Sequence, residues 1–133
     1  MIAQVNVTNV SSSKSLSELM SMTVFNEATA IALKLDAKYL ENVFNIYWES
    51  AQREINEISQ ALNNADQTQL RKIAHSLKGS SRMLGGERLG ALASFVEEKA
   101  KQNESVPQAQ LLECLNSSLA EFKSAVRASN LLS

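Results

Sequence analysis

The stretch Ala74-His75-Ser76-Leu77-Lys78-Gly79-Ser80-Ser81-Arg82-Met83-Leu84-Gly85 decides how the rest of the chain is interpreted, and it contains the only histidine of the protein. At about 100° per residue, the apolar residues in and before this stretch fall on one side of a helix. They are Leu70, Ile73, Ala74, Leu77 and Leu84. His75 falls roughly 170° from the middle of that stripe. The spacing therefore predicts a helix whose single imidazole points into water.

The outer face around His75 is basic and contains a glycine. Arg71, Lys72, Lys78, Gly79 and Arg82 fall on it. Glycine inside a helix costs about 1 kcal/mol relative to alanine, and Gly79 lies too far from the apolar stripe for close packing to explain it. Such a face suits a phosphoryl group that arrives on another protein.

Two other interpretations use the same residues. A single histidine is more often a surface or core residue without chemistry, and a basic face is usually only a solvated one. The first alternative is therefore a helical adaptor or interaction protein whose histidine is incidental. The second is a hydrolase that uses His75 as a general base, but no convincing nucleophile or acid partner accompanies it.

The motif His75-x-Leu77-Lys78-Gly79-Ser80-Ser81, closed by Leu84-Gly85, resembles the signature of histidine-containing phosphotransfer (HPt) domains. The resemblance extends through Glu87-Arg88-Leu89, Leu92 and Val96-Glu97, and covers roughly residues 32–130. The departures are Val96 where the family usually has leucine, and glycines at positions 86 and 90 where alanine is common.

The resemblance implies a phosphorelay carrier in two-component signal transduction. His75 would be the phosphoacceptor and would exchange the group with aspartates of response-regulator receiver domains or of a hybrid sensor histidine kinase. Lys78, one helical turn on, matches the family's lysine and would stabilise the phosphoryl group. We expect no cofactor and no kinase or ATPase activity on this chain, because it has no phosphate-binding loop or nucleotide motif. The Mg²⁺ would reside on the receiver partner.

Glu97 and the basic side chains are expected to assist His75. Glu97 and His75 lie about equally far from Gly85-Gly86 on two antiparallel helices, so they should face one another. The family usually places Glu or Gln there, which would accept a hydrogen bond from Nδ1, orient the ring and leave Nε2 free for phosphate. The expected docking residues for the partner are Gly79, Arg71, Lys72 and Arg82.

Composition excludes several other classes of protein. The 133 residues form one domain, with 44% hydrophobic and 20% charged residues. A net charge of −1 argues against nucleic acid as the partner. One cysteine, Cys114, excludes an internal disulfide framework and fits a reducing, cytoplasmic compartment. Neither a metal-binding cluster, nor a secretory signal, nor a membrane span is recognisable.

Apolar periodicity predicts an all-α protein, an antiparallel four-helix bundle with an additional N-terminal helical segment. Asp36 and Asp66 are expected to cap the first two bundle helices, which end near Asn63 and Leu84. A third helix should run from Glu87 to about Gln102, and Pro107 should be the first residue of the fourth.

The N-terminal part of the chain is not expected to contribute one of the four bundle helices. We interpret residues 1–15 as a flexible tail, strand-like at Val5 to Val10 if it packs against something, and residues 16–133 as the domain. Ser15 and Glu18 are spaced as a capping box for a first helix towards Ala32. Because the chain starts at Met1 with its own tail, we expect a free-standing protein rather than a fragment of a hybrid kinase. We also expect it to be a monomer.

Overall fold

The structure is a computed structural model and describes residues 14–132, which contain helices and no strand. The helices are α1 (Leu16–Met20), α2 (Glu27–Ile31), α3 (Ala37–Asn63), α4 (Gln67–Met83), α5 (Glu87–Lys101) and α6 (Gln108–Ala128). The first thirteen residues of the expected flexible tail lie outside the described residues.

Helices α1, α3 and α4 begin with the side-chain caps that the sequence indicates. The Ser15 hydroxyl accepts a hydrogen bond from the backbone N–H of Glu18, whose carboxylate accepts one from the backbone N–H of Ser15. The carboxylates of Asp36 and Asp66 each accept one from a backbone N–H of the first turn of α3 and α4. The predicted capping box and both predicted aspartate caps are therefore confirmed.

The four long helices form the bundle. Helix α4 packs mainly against α5 and α3, and α6 packs against the same two helices, so α4 and α6 lie diagonally opposite. The fully buried side chains come from all four helices. This arrangement confirms the predicted antiparallel four-helix bundle. The largest of these side chains are Phe44, Ile55, Ile58, Leu77, Leu84, Leu89, Leu92, Val96, Leu111, Leu115, Phe122 and Val126.

An aromatic cluster fills one end of the core. The Phe122 ring lies 5.1 Å from Trp48, 5.5 Å from Phe25 and 5.7 Å from Tyr47, centroid to centroid. The Phe44 ring lies 6.0 Å from Phe122 and stacks on Trp48. Tyr47 and Trp48 thus contribute to packing and not to a surface binding site.

The N-terminal segment forms two short helices, α1 and α2, joined by an irregular link over residues 21–26. The sequence predicted a single helix here. Tertiary hydrogen bonds hold this link away from the helical path. The Met22 carbonyl accepts from Arg88 Nε at 3.0 Å, and the Asn26 backbone N–H donates to the Gly85 carbonyl at 2.8 Å. Asn26 Nδ2 also donates to Glu87, while its side-chain oxygen caps α2.

Pro107 also differs slightly from its predicted position. With φ −74° and ψ 92° it lies just before the helix, at the N-cap, and α6 begins at Gln108. Because this ψ value is extended rather than helical, Pro107 is the residue immediately before α6 and does not belong to the helix.

Candidate functional site

His75 lies in the middle of α4, on the side turned away from the core. Its side chain is 69% exposed. On the opposite side of the helix, Leu70, Ile73, Ala74 and Leu77 are buried as the periodicity predicts. The buried stripe fixes the rotation of α4, and this rotation presents the imidazole to solvent.

Glu97 of α5 holds the imidazole from one side. His75 Nδ1 lies 2.7 Å from Glu97 Oε2, and Lys78 Nζ donates to Glu97 Oε1 at 2.5 Å. The contact arises because α4 and α5 run antiparallel from the Gly85-Gly86 turn. Nε2 makes no hydrogen bond with residues 14–132, and the side chain that carries it is largely exposed.

The environment of Glu97 favours its ionised form. The Glu97 side chain is only 13% exposed. Burial raises the pKa of this carboxyl, but the hydrogen bonds and charges of Lys78 and His75 outweigh burial and lower it overall. An ionised carboxylate only accepts hydrogen bonds. Nδ1 is therefore the donor of this hydrogen bond, and in a neutral imidazole the free lone pair is then on Nε2.

Gly79 leaves an open surface one turn beyond His75. A Cβ atom built at this position meets nothing within 4 Å. Packing inside the bundle therefore does not require glycine here. Arg71 and Lys72 are exposed on the same outer side of the helix, as the sequence predicts.

Arg82 is also exposed, but it crosses towards α5. A Cβ atom at Gly90 would lie 2.8 Å from Arg82 Cγ, so this glycine makes room for the arginine stem. A Cβ atom at Gly86 would clash with the Phe122 ring. The two glycines that depart from the usual family pattern thus have packing reasons.

Sequence analysis missed a polar layer between α3 and α4. Ser76, next to His75, donates to Oε2 of the buried Glu54 at 2.5 Å, and Glu54 Oε1 has no partner among residues 14–132. The hydroxyls of Tyr47 and Ser81 lie 2.5 Å apart, and burial is the main cause that raises the pKa of Tyr47. The burial of Glu54 could have been predicted from its position, because Glu54 falls at helical spacing on the same side of α3 as the buried Tyr47 and Ile58.

Residues 14–132 contain no group of three or more His, Cys, Asp or Glu side chains that could hold a metal ion. Within the same described range, no helix combines the length and apolar character needed to cross a membrane.

Comparisons with known proteins agree with this geometry. The family model described as Hpt domain matches residues 42–125. No curated protein matches the chain. The fold is similar to the crystal structure of histidine-containing phosphotransfer protein B (HptB) from Pseudomonas aeruginosa PAO1, with a TM-score of 0.73 and 20% identity over 81% of this chain and 95% of that one. Because the family model spans more than half of the sequence, the chain belongs to the Hpt domain family, whose domains carry phosphoryl groups on histidine in phosphorelays.

Proposed function

We propose that this protein is a phosphorelay intermediate that accepts a phosphoryl group on His75 Nε2 from a receiver-domain aspartate and passes it to another receiver. The observation that carries the proposal is the exposed imidazole whose Nδ1 is hydrogen-bonded to the partly buried carboxylate of Glu97. In the neutral imidazole, the other ring nitrogen then has an accessible lone pair.

The transfer is a balanced displacement at phosphorus. The Nε2 lone pair attacks the aspartyl phosphate, a P–N bond forms, and the P–O bond to the aspartate breaks. The aspartate leaves as a free carboxylate, and the ring nitrogens share a positive charge until the group moves on. Glu97 faces that charge at Nδ1 and stabilises it.

Lys78 is proposed to stabilise the phosphoryl oxygens. It is one turn from His75 and its side chain is 23% exposed, so its ammonium borders the same surface while it binds Glu97. His75 lies in the middle of α4, too far from the first turn for the helix dipole to supply positive charge. Arg71, Lys72 and Arg82 add positive charge that steers an acidic partner surface.

In this proposal, the receiver partners carry the Mg²⁺ and the phosphorylated aspartates. The phosphoryl group comes from a receiver and not from a nucleotide. We place the protein in the cytoplasm as a monomer, and a buried, unpaired Cys114 is compatible with a reducing compartment.

The deciding experiment uses a panel of purified receiver domains carrying labelled aspartyl phosphate. We expect acid-labile, base-stable label on the wild-type chain, and none on His75→Ala or His75→Gln. Gln69→Ala, exposed on the same helix, is the matched control and should be labelled normally. The adaptor alternative predicts no label on the wild type, and the hydrolase alternative predicts only free phosphate.

A second variant tests the orienting role of Glu97. Glu97→Ala should slow transfer several-fold without abolishing it, because orientation adjusts a nucleophile but does not replace it. Glu98→Ala, on the exposed face of the same helix, should transfer at the wild-type rate. Equal rates in Glu97→Ala and the wild type would remove Glu97 from the mechanism.

A further inference from the structure

The middle of α4 is held from two sides by carboxyl groups of the neighbouring helices. On the α5 side, Glu97 binds His75 and Lys78. On the α3 side, Glu54 Oε2 accepts a hydrogen bond from the hydroxyl of Ser76 at 2.5 Å. Ser76 follows His75 directly in the chain, so both carboxyl groups act on the same helical turn. The proposed transfer uses Glu97 but gives Glu54 no role.

Packing alone does not explain a carboxyl group at position 54. Glu54 is only 9% exposed and lies between the buried Ala51 and Ile58 on the core side of α3. Its Oε1 is also buried and has no hydrogen-bond partner among residues 14–132. A buried polar atom without a partner costs free energy, and an apolar side chain of similar size would avoid that cost. The carboxyl group therefore indicates a role other than stability.

We propose that Glu54 is a positioning residue for the phosphotransfer reaction. Through its hydrogen bond with Ser76, it fixes the rotation of α4 about the helix axis and thereby the place of the His75 imidazole. This inference rests on the proposed function and adds to it a residue of α3 that acts on the ring only through Ser76.

The geometry of a helix explains why this rotation matters. The tips of side chains lie about 5–6 Å from the helix axis, so a rotation of about 10° moves a ring nitrogen by about 1 Å. A misplacement of this size can slow a reaction by up to about 100-fold. The buried stripe of α4 already limits the rotation, and polar contacts with Glu54 on one flank and Glu97 on the other limit it further.

A second polar contact joins the same two helices at a different level. The hydroxyls of Tyr47 on α3 and Ser81 on α4 lie 2.5 Å apart and are buried. Ser81 is six residues beyond His75, which places it about 9 Å farther along the helix. This contact should contribute to stability without setting the position of the ring, and it therefore provides a matched comparison.

The test compares Ser76→Ala and Glu54→Met with Tyr47→Phe, in transfer from a phosphorylated receiver that labels the wild type. Ser76→Ala and Glu54→Met should each lower kcat about fivefold and leave KM within about twofold, because the ring is misplaced while the docking surface is intact. Tyr47→Phe leaves a buried hydroxyl without its partner, so it should lower the melting temperature. Its kcat and KM should stay within about twofold of the wild-type values.

Two further variants show whether the hydrogen bond itself is responsible. Glu54→Gln keeps an oxygen that accepts from Ser76, so its kcat should stay within about twofold of the wild type. The double variant Glu54→Met/Ser76→Ala should be no slower than either single variant, because each change removes the same contact. Phosphoramidate, a small phosphoryl donor that needs no docking surface, should also label Ser76→Ala about fivefold more slowly than the wild type.

The imidazole supplies a readout that a purely structural contact would not change. His75 is the only histidine, so its ring signals in a proton–nitrogen correlation spectrum are identified at once. The ring nitrogen shifts should differ from the wild-type values in Ser76→Ala, because the contact of Nδ1 with Glu97 is altered. In Tyr47→Phe they should match the wild type.

Several results would overturn the inference. They are a wild-type kcat or unchanged phosphoramidate labelling in Ser76→Ala, a loss confined to KM, an equal loss of kcat in Tyr47→Phe, and a Glu54→Gln variant as slow as Glu54→Met. If Glu54→Met does not fold, Ser76→Ala decides alone, because it changes an exposed residue. A wild type that no receiver labels would instead contradict the proposed function itself.

Discussion

Glu97 is shared between two donors, and this sharing links the stability of the fold to the proposed site. Its two carboxylate oxygens accept hydrogen bonds from His75 and Lys78 on the neighbouring helix. The carboxylate thus joins α4 to α5 at the level where the imidazole emerges. Glu97, which we propose to orient the ring, therefore also contributes to the free energy of unfolding.

The stability that Glu97 contributes should depend on pH. The fold lowers the pKa of this carboxyl below its ordinary value of 4.5, so its ionised form stabilises the native state above that pH. This contribution should disappear as the pH falls through the lowered value. We expect the difference in unfolding free energy between wild type and Glu97→Gln, measured by urea denaturation, to be largest near neutral pH and to shrink below pH 4.5.

Glu98→Gln is the control for that titration, since Glu98 is exposed and makes no side-chain hydrogen bond with residues 14–132. The same pH profile in both variants would show that the contacts of Glu97 do not stabilise the fold.

Gly79 provides a second prediction at the scale of single residues. A methyl group at this position meets nothing within 4 Å, so Gly79→Ala should raise the unfolding free energy by about 0.5–1 kcal/mol. Gly90→Ala should stabilise less, because its Cβ would lie 2.8 Å from Arg82 Cγ. Thermal and urea denaturation of both variants would measure the contrast. A lower melting temperature in Gly79→Ala would mean that glycine serves the fold and not an open docking face.

At the scale of elements, the two short N-terminal helices are fastened to the turn between α4 and α5. Asn26 binds Gly85 and Glu87 and also caps α2, while Arg88 binds the Met22 carbonyl and Glu121. The N-terminal segment therefore stabilises the turn that fixes how α5 packs against α4.

Asn26→Ala should lower the unfolding free energy by about 1–2 kcal/mol, since it removes a helix cap and a partner of Glu87. Hydrogen exchange of α2 amides should rise in this variant. Asn45→Ala, at an exposed position of α3, is the control and should not lower stability. Equal stability of the two variants would show that the N-terminal segment is not held by Asn26.

At the scale of the whole molecule, Phe122 connects the N-terminal segment to the bundle. Its fully buried ring contacts Phe25 as well as Phe44 and Trp48 of α3, and it packs against Gly86.

Phe122→Ala should cost roughly 3–5 kcal/mol of unfolding free energy and should change the fluorescence of Trp48. His75→Ala is the comparison, because its exposed side chain should cost little. Similar melting temperatures for these two variants would contradict the central role of the aromatic cluster.

The sequence alone determined the four bundle helices, the aspartate caps of the first two and the buried side of each helix, because these features depend on residues within a few positions of one another. The 3.6-residue periodicity placed His75 on the outside, and the short Gly85-Gly86 connection brought Glu97 to its level. Only the tertiary structure decided that Lys78 binds Glu97, that Arg82 crosses Gly90, and that the N-terminal segment breaks into two helices. It also decided that Glu54 lies beneath Ser76. These features depend on contacts between residues far apart in the chain, and local periodicity carries no information about such pairs.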